Sequence, residues 1–247
     1  MVAIVEGKIA VKAVLNSKFR TVKEIYIEED KKGKDVSYII EQARIKKIEV
    51  KRMKDYQIQA LAKGKTHGGI LAQVSERKTQ SIISLLKKDK PFLALLEGIE
   101  DSYNLGYILR TLYAFGCDGV IMKQRYNDFD DSNLIKSSAG ASEAIPIVYS
   151  ENPVEIVELL KKQSITVIGA YRGEKAVSLY DYDFSDKAIL IEIGGPLRGL
   201  SAEELKLCDD YIYIPYANDF RNALNAASAT SVIAGEIFRQ KMNKEGK

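Results

Sequence analysis

Between residues 92 and 215 the chain returns six times to one pattern: a short, almost wholly apolar run closed by glycine, proline or a polar residue. The runs are FLALLEG, GVIM, IPIVYS, ITVIGAY, AILIEIGG and YIYIP. A run that does not alternate reads as a strand covered on both faces, which is the situation of a parallel sheet. Segments of helical period lie between the runs, predicting helices over about 104–115, 132–139, 153–162, 201–207 and 222–241. Strand and helix in strict alternation specify an α/β fold with a doubly wound sheet, whose ligand site lies beyond the carboxyl ends of the strands.

The first third is a different object. GKIAVKAVLNS is amphipathic, VKEIYIEE is a short β-rich run, KDVSYIIEQARIKK is helical, KIEVKRM extended, DYQIQALAKG helical and GGILAQVSE extended. This predicts a small α/β module over residues 1–76. A polar, lysine-rich connection follows over 77–90, with SIISLL as a short helix and Pro91 at its end, and then a second domain over 91–247. Charge divides the same way. Residues 1–78 hold 18 Lys and Arg against 10 Asp and Glu, whereas the remainder holds 19 against 24. A basic module on a mildly acidic body suits contact with a polyanion, most simply nucleic acid; a solvated surface rich in lysine gives the same count.

Other classes lose their support. Two cysteines without a CxxC spacing and a single histidine, His67, argue against structural zinc and a disulfide framework, so no metal is expected. His67 reads as a structural residue near the domain boundary. There is no run of 18 apolar residues, and MVAIVEGKIA lacks the three regions of a signal peptide, so a cytoplasmic location and no membrane association are expected.

Three strand-to-loop junctions could carry chemistry. In the first, LLEGIEDSYNLGYILRTLYAFG, Leu105, Ile108, Leu109 and Leu112 form one buried helical stripe, and Arg110 stands off it between Gly106 and Tyr113. Asn104 would be the helix cap, and Arg110 a surface arginine paired with Glu143 or Asp118, if neither had a function. The second junction, ILIEIGGPLRGLSAEEL, is glycine-rich, but GGPLRG is neither GxGxxG nor GxxxxGK[ST], which removes the usual dinucleotide and P-loop readings. The third, YIYIPYANDFRNALNAASATSVIAGEIFRQ, turns at Pro215 and reopens as a helix with small residues at Ala223, Ala226, Ala227, Ser228, Ala229 and Ala234, suited to close approach of another element.

Taken together, these junctions resemble the three motifs of the SpoU, or TrmH, family of RNA ribose 2′-O-methyltransferases, in the SPOUT superfamily. Asn104, Gly106 and Arg110 resemble the first motif, NxGxxxR. IEIGGPLRGLS resembles the second, and IPYANDFRNALNAASA the third, with its Leu-Asn pair ahead of the last helix. SNLIKSSAGASEAIPI is similar to the family's SxGA segment at Ser138, Gly140 and Ala141. THGGILAQV resembles the HQGI signature that ends a ribosomal-protein-like substrate-binding domain, so the resemblance spans nearly the whole chain.

The resemblance implies a SPOUT domain with a deep trefoil knot at its carboxyl end, S-adenosylmethionine as cofactor, RNA (rRNA or tRNA) as partner, and a homodimer formed through the knotted domain. Cofactor contacts are implied at Gly169, Ala170 and Tyr171, at Ile193, Gly194 and Gly195, and at Ile214, Ala223, Leu224 and Asn225. The implied catalytic residues are Arg110, Asn104 and Asn225. A guanidinium stays protonated below about pH 12, so Arg110 reads as a phosphate-binding and charge-stabilising group rather than a base, with Asn104 orienting it. About 9 Å of helix rise separates the two α-carbons, so the arginine must reach back toward the helix start. Asn225 could equally cap the last helix. Two positions depart from the family's pattern: Pro196 stands where a glutamate is usual and Ala223 where a serine is usual. Two other readings stay open, an inactive RNA-binding relative and an unrelated nucleotide-dependent α/β enzyme.

Overall fold

The structure, a computed structural model, describes residues 2–123, 129–195 and 199–244. It divides into two compact units, residues 1–78 with 129–144, and residues 79–128 with 145–247.

In the first unit a four-stranded sheet has the order β1-β4-β2-β3, built from β1 (Val2–Glu6), β2 (Val22–Glu28), β3 (Glu49–Met53) and β4 (Ile70–Ser75). β4 runs antiparallel to β1 and β2, and β2 runs parallel to β3. Helices α1 (Lys8–Asn16) and α2 (Lys34–Ile45) present Ala10, Val11, Val14 and Leu15 and Val36, Ile39 and Ala43 to Val5, Ile25, Ile27 and Ala72 of the sheet. The opposite face is sealed by Ile58 of α3 (Asp55–Leu61) against Tyr26 and Leu71. Burying a side chain of this size contributes about 2 kcal/mol. Strand β1, whose VAIVE run was not anticipated, completes the sheet edge.

Residues 129–144, expected in the second domain, pack with the first. Ile135 of a short helix over Asp131–Ser137 is fully buried in that core. In the tight turn that follows, the hydroxyl of Ser138 accepts from the backbone N–H of Ser142. Glu143 beyond it receives the side chain of Arg20 at 2.9 Å. Polar as they look in sequence, these residues are held by buried polar partners.

The second unit carries seven strands in the order β7-β6-β5-β10-β8-β11-β9, every pairing parallel. They are β5 (Phe92–Glu97), β6 (Gly119–Lys123), β7 (Ile147–Ser150), β8 (Thr166–Ala170), β9 (Val177–Ser178), β10 (Ile189–Gly194) and β11 (Asp210–Tyr213). The two-residue β9 was too short to announce itself. The short helix α4 (Ile82–Leu85) falls within the expected connection, but its Leu85 is buried in the core of this unit with Leu93, Leu95 and Ile121. Helices α7 (Pro153–Lys162) and α8 (Ala202–Leu207) cover that face, counting Asp131–Ser137 as α6. On the other face α5 (Ser102–Ala114) packs against α9 (Ala226–Lys244), with the rings of Phe115 and Phe238 at 5.7 Å.

Two helix starts differ from the expectation. Asp101, not Asn104, caps α5, accepting from the Asn104 N–H at 2.8 Å; the helix starts at Ser102 and Asn104 is its third residue. The last helix starts at Ala226 rather than 222, because the side chain of Asn225 accepts from the N–H of Ser228 at 2.8 Å.

Candidate active site

The carboxyl ends of β10, β8 and β11, three adjacent strands, bring together most of the residues expected to meet a cofactor. Glu192 is opposite Gly169, and Gly169 is opposite Tyr211. Hence Gly169–Tyr171, Ile193–Gly195 and Ile214 leave the sheet side by side, with the Tyr171 N–H donating to the Ile212 carbonyl at 2.9 Å. The glycines at the end of β10, Gly194 and Gly195, are required by crowding of backbone on backbone. A Cβ on Gly195 would sit 2.2 Å from the carbonyl oxygen of Gly98, and one on Gly194 would sit 2.3 Å from the carbonyl carbon of Gly199. The turn therefore approaches two other segments of chain at distances that no other residue permits.

The loop from 214 to 225 is fastened from the β8 side. Arg172 lies over the Tyr216 ring at 4.4 Å and donates to the Phe220 carbonyl, while the Tyr216 hydroxyl accepts from the Leu224 N–H at 3.0 Å. Neither Arg172 nor Tyr216 was singled out in sequence, since an arginine and a tyrosine 44 residues apart carry no local signal. The loop leaves apolar surface uncovered: Tyr171 is 44% exposed, Phe220 47% and Leu224 36%. Ala223 is exposed and precedes the helix, so the small-residue stripe begins at Ala226.

On α5, Leu105, Ile108, Leu109 and Leu112 are buried as the periodicity requires, and Arg110 is exposed. Both acids that could have neutralised Arg110 are engaged elsewhere, Asp118 with Lys88 and Glu143 with Arg20. Among the described residues Arg110 has no ion-pair partner. The neighbouring Thr111 hydroxyl lies 3.3 Å from that of Ser231 on α9. Asn104 and Arg110 are carried by α5, and Asn225 caps α9, the helix packed against it. Pro196 and Arg198 lie outside the described residues.

A feature absent from the expectations lies on the α7–α8 face of the same strand ends. A cavity of about 560 Å³ is bordered by Glu97, Gly98, Glu192, Gly195 and Glu204 among others; of the residues expected to hold a cofactor, only Gly195 borders it. Glu192 is fully buried, one carboxylate oxygen faces the Cys208 thiol at 3.6 Å, and the other has no hydrogen-bond partner among the described residues. Burial pushes its pKa up to about 7. The signal was present, since Glu192 is the one charged residue inside the run ILIEIGG. Among the described residues no group of three or more His, Cys, Asp or Glu could hold a metal ion, and no helix is long and apolar enough to cross a membrane.

A seven-stranded parallel sheet with glycine-constrained turns at its strand ends, together with an exposed arginine on α5 that has no ion-pair partner among the described residues, defines an α/β protein of the kind that binds its ligand beyond the strand ends. Residues 91–235 match the SpoU rRNA Methylase family, and residues 4–80 match the substrate-binding region of RNA 2′-O ribose methyltransferases. A Staphylococcus haemolyticus protein named for the TrmH family of tRNA/rRNA methyltransferases is 30% identical over 243 residues, 96% of each chain. The 23S rRNA (guanosine-2′-O-)-methyltransferase RlmB of Xanthomonas campestris is 28% identical over 242 residues, again 96% of each. The SpoU methyltransferase AviRb of Streptomyces viridochromogenes, solved in complex with AdoMet, has the same fold, with a TM-score of 0.82 at 22% identity over 98% of this chain and 91% of its own. The chain belongs to the SpoU/TrmH family of RNA methyltransferases.

Proposed function

We propose that this chain transfers a methyl group from S-adenosylmethionine to a ribose 2′-hydroxyl of rRNA or tRNA. The observation that carries the reading is Arg110: a guanidinium mounted on a helix of a methyltransferase chain and exposed there with no ion-pair partner among the described residues. The cofactor supplies an electrophilic methyl carbon on a sulfonium. Its adenosyl part suits the strand-end loops, because backbone groups of 169–171, 193–195 and 214 can meet polar edges while Tyr171 and Leu224 offer apolar surface. Ala223 and Asn225 complete the set, and the Asn225 amide NH₂ stays available because its oxygen already caps α9.

Arg110 holds a phosphate next to the target ribose through two parallel N–H donors and stabilises the charge that develops on the attacking oxygen. Asn104, two turns nearer the start of α5, orients that guanidinium or the ribose. Holding the hydroxyl in line with the methyl group is the larger part of the work, since alignment alone can supply roughly 7–11 kcal/mol of a barrier. The 2′-hydroxyl is also what separates RNA from DNA.

The test is transfer of radiolabelled methyl groups to total rRNA and tRNA, followed by alkaline hydrolysis. Label retained in alkali-resistant dinucleotides is the expected result, and label released in mononucleotides defeats the ribose assignment. A second reading, an RNA-binding relative without activity, draws on Pro196 in place of the family's usual glutamate; cofactor binding with no RNA labelled would favour it.

The trefoil knot and the homodimer belong to the same proposal. Tyr103, Tyr107 and Tyr113 of α5 are each about half exposed, and Phe238 of α9 is 37% exposed, which leaves an aromatic face free for a second copy. Light scattering at micromolar concentration tests the dimer. Its cytoplasmic location follows from the proposed substrates.

A further inference from the structure

The first unit has a cleft of its own, about 490 Å³ in volume, bounded by the start of α1, the segment leading into α2, the turn at Thr66–Gly68 and the helix α6. Lys8, Lys31, Lys32, Lys34 and Lys136 border it, against a single carboxylate, Asp35. That carboxylate is already committed, pairing with Lys8 at 2.7 Å and with Lys12. Lys31, Lys32 and Lys34 have no carboxylate partner among the described residues, and Lys136 has only the Thr66 hydroxyl at 3.4 Å. Concentrating like charge around a concave surface raises the local potential and costs stability unless an anion fills it.

The rest of the lining decides what kind of anion. Among the described residues it consists of glycine backbone at positions 7, 33 and 68, aliphatic side chains at Ile9, Val36 and Ile70, the hydroxyl of Thr66, and His67, which alone carries a ring. The Nδ1 of His67 accepts from the Gly69 N–H at 3.1 Å, which leaves Nε2 as a donor. Reading a base edge takes bidentate groups such as Arg, Asn or Gln, and stacking takes an open aromatic face. Among the described residues the cleft has no Arg, Asn, Gln, Phe, Tyr or Trp in its border. Donors and positive charge without base-reading groups match phosphate oxygens. Helices α1 and α2 both open on glycine with no side-chain cap, so their first-turn amides add donors to those of the lysines.

We propose that this cleft grips the phosphodiester backbone of the substrate RNA independently of its base sequence, so that the first unit positions RNA and does not read it. The proposal rests on the chain's being an RNA methyltransferase.

Full-length protein is titrated against two fluorescent RNAs of unrelated sequence between 50 and 200 mM salt, as wild type, as Lys32→Gln/Lys34→Gln, and as the charge-matched control Lys162→Gln/Lys175→Gln from the second unit. Two lost phosphate contacts on a single strand lower the slope of log K against log salt by about 1.4. The cleft variant is expected to show that drop and roughly tenfold weaker binding to both RNAs, with cofactor affinity unchanged and the control behaving as wild type. An unchanged slope, an equal loss in the control, or a loss confined to one RNA overturns the proposal. Wild-type protein that shows the expected contrast yet methylates no RNA would uphold the cleft and defeat the activity.

Discussion

Arg20 and Glu143, 123 residues apart, form an ion pair with Nε and Oε1 at 2.9 Å between side chains that are only 3% and 2% exposed. The other edge of the guanidinium meets both oxygens of Asp131, at 2.6 and 2.7 Å. One arginine thus pairs with two carboxylates of residues 129–144, although the second oxygen of Glu143 has no hydrogen-bond partner among the described residues. Removing it leaves buried negative charge uncompensated, a defect of about 3–5 kcal/mol. Arg20→Met is expected to lower urea stability by that amount. A change below about 1 kcal/mol would mean that solvent reaches the pair.

Glu192 gives the fold a dependence on pH. Its carboxyl titrates near 7 when folded against an ordinary 4.5, because burial disfavours the charged form; the nearby Glu204 and Glu97 act in the same direction, opposed by the Cys208 bond and by Lys161. The folded state therefore holds a proton that the unfolded chain has lost between these values. Stability from this group is full below about pH 4.5 and declines as pH rises through 7, by roughly 3 kcal/mol in all. Glu192→Gln should be more stable than wild type at pH 8.5, with the advantage vanishing near pH 4.5. Parallel stability curves for the two proteins across that range would show that the carboxyl does not titrate there.

The architecture of the second unit was legible because its central strands are almost wholly apolar runs, broken in β10 only by Glu192, and such runs survive whatever packs on them. Helix boundaries were less so, since Asp101 and Asn104 are both good caps and only the geometry shows which one is used. The affiliation of residues 129–144 was hidden entirely: it depends on Ile135 and Glu143 meeting partners more than a hundred residues away. At the candidate site, the glycines at 194 and 195 were recognisable as special, yet their reason, contact with Gly98 and Gly199, is tertiary. Glu192 was passed over within its strand, and the basic excess of the first third was read as suited to a polyanion or to a solvated surface, but the count could not show that Lys8, Lys31, Lys32, Lys34 and Lys136 border one cleft.

Gly195 separates shape from chemistry in the strand-end turn. An alanine Cβ there would have to coexist with the Gly98 carbonyl oxygen at 2.2 Å, a backbone atom that cannot rotate away. Gly195→Ala is expected to cost about 3 kcal/mol or more of stability and to weaken S-adenosylmethionine binding measured by calorimetry. Retention of both properties would show that the turn moves freely, and with it would go the idea of a preformed cofactor loop.

Arg110 offers the opposite case, a residue whose loss should be invisible to folding. It is exposed on α5, holds no carboxylate among the described residues, and lies off the stripe that packs the helix. Arg110→Ala should therefore change stability by less than about 0.5 kcal/mol, as surface replacements do. Losing a charge-stabilising donor in a reaction costs about 2.7–4 kcal/mol, so methyl transfer to RNA should fall by about two to three orders of magnitude. Arg110→Lys keeps the charge but not the planar pair of donors, and should recover only a small part of the rate. Full recovery by lysine would point to charge alone as the requirement, and an active alanine variant would remove Arg110 from the reaction altogether.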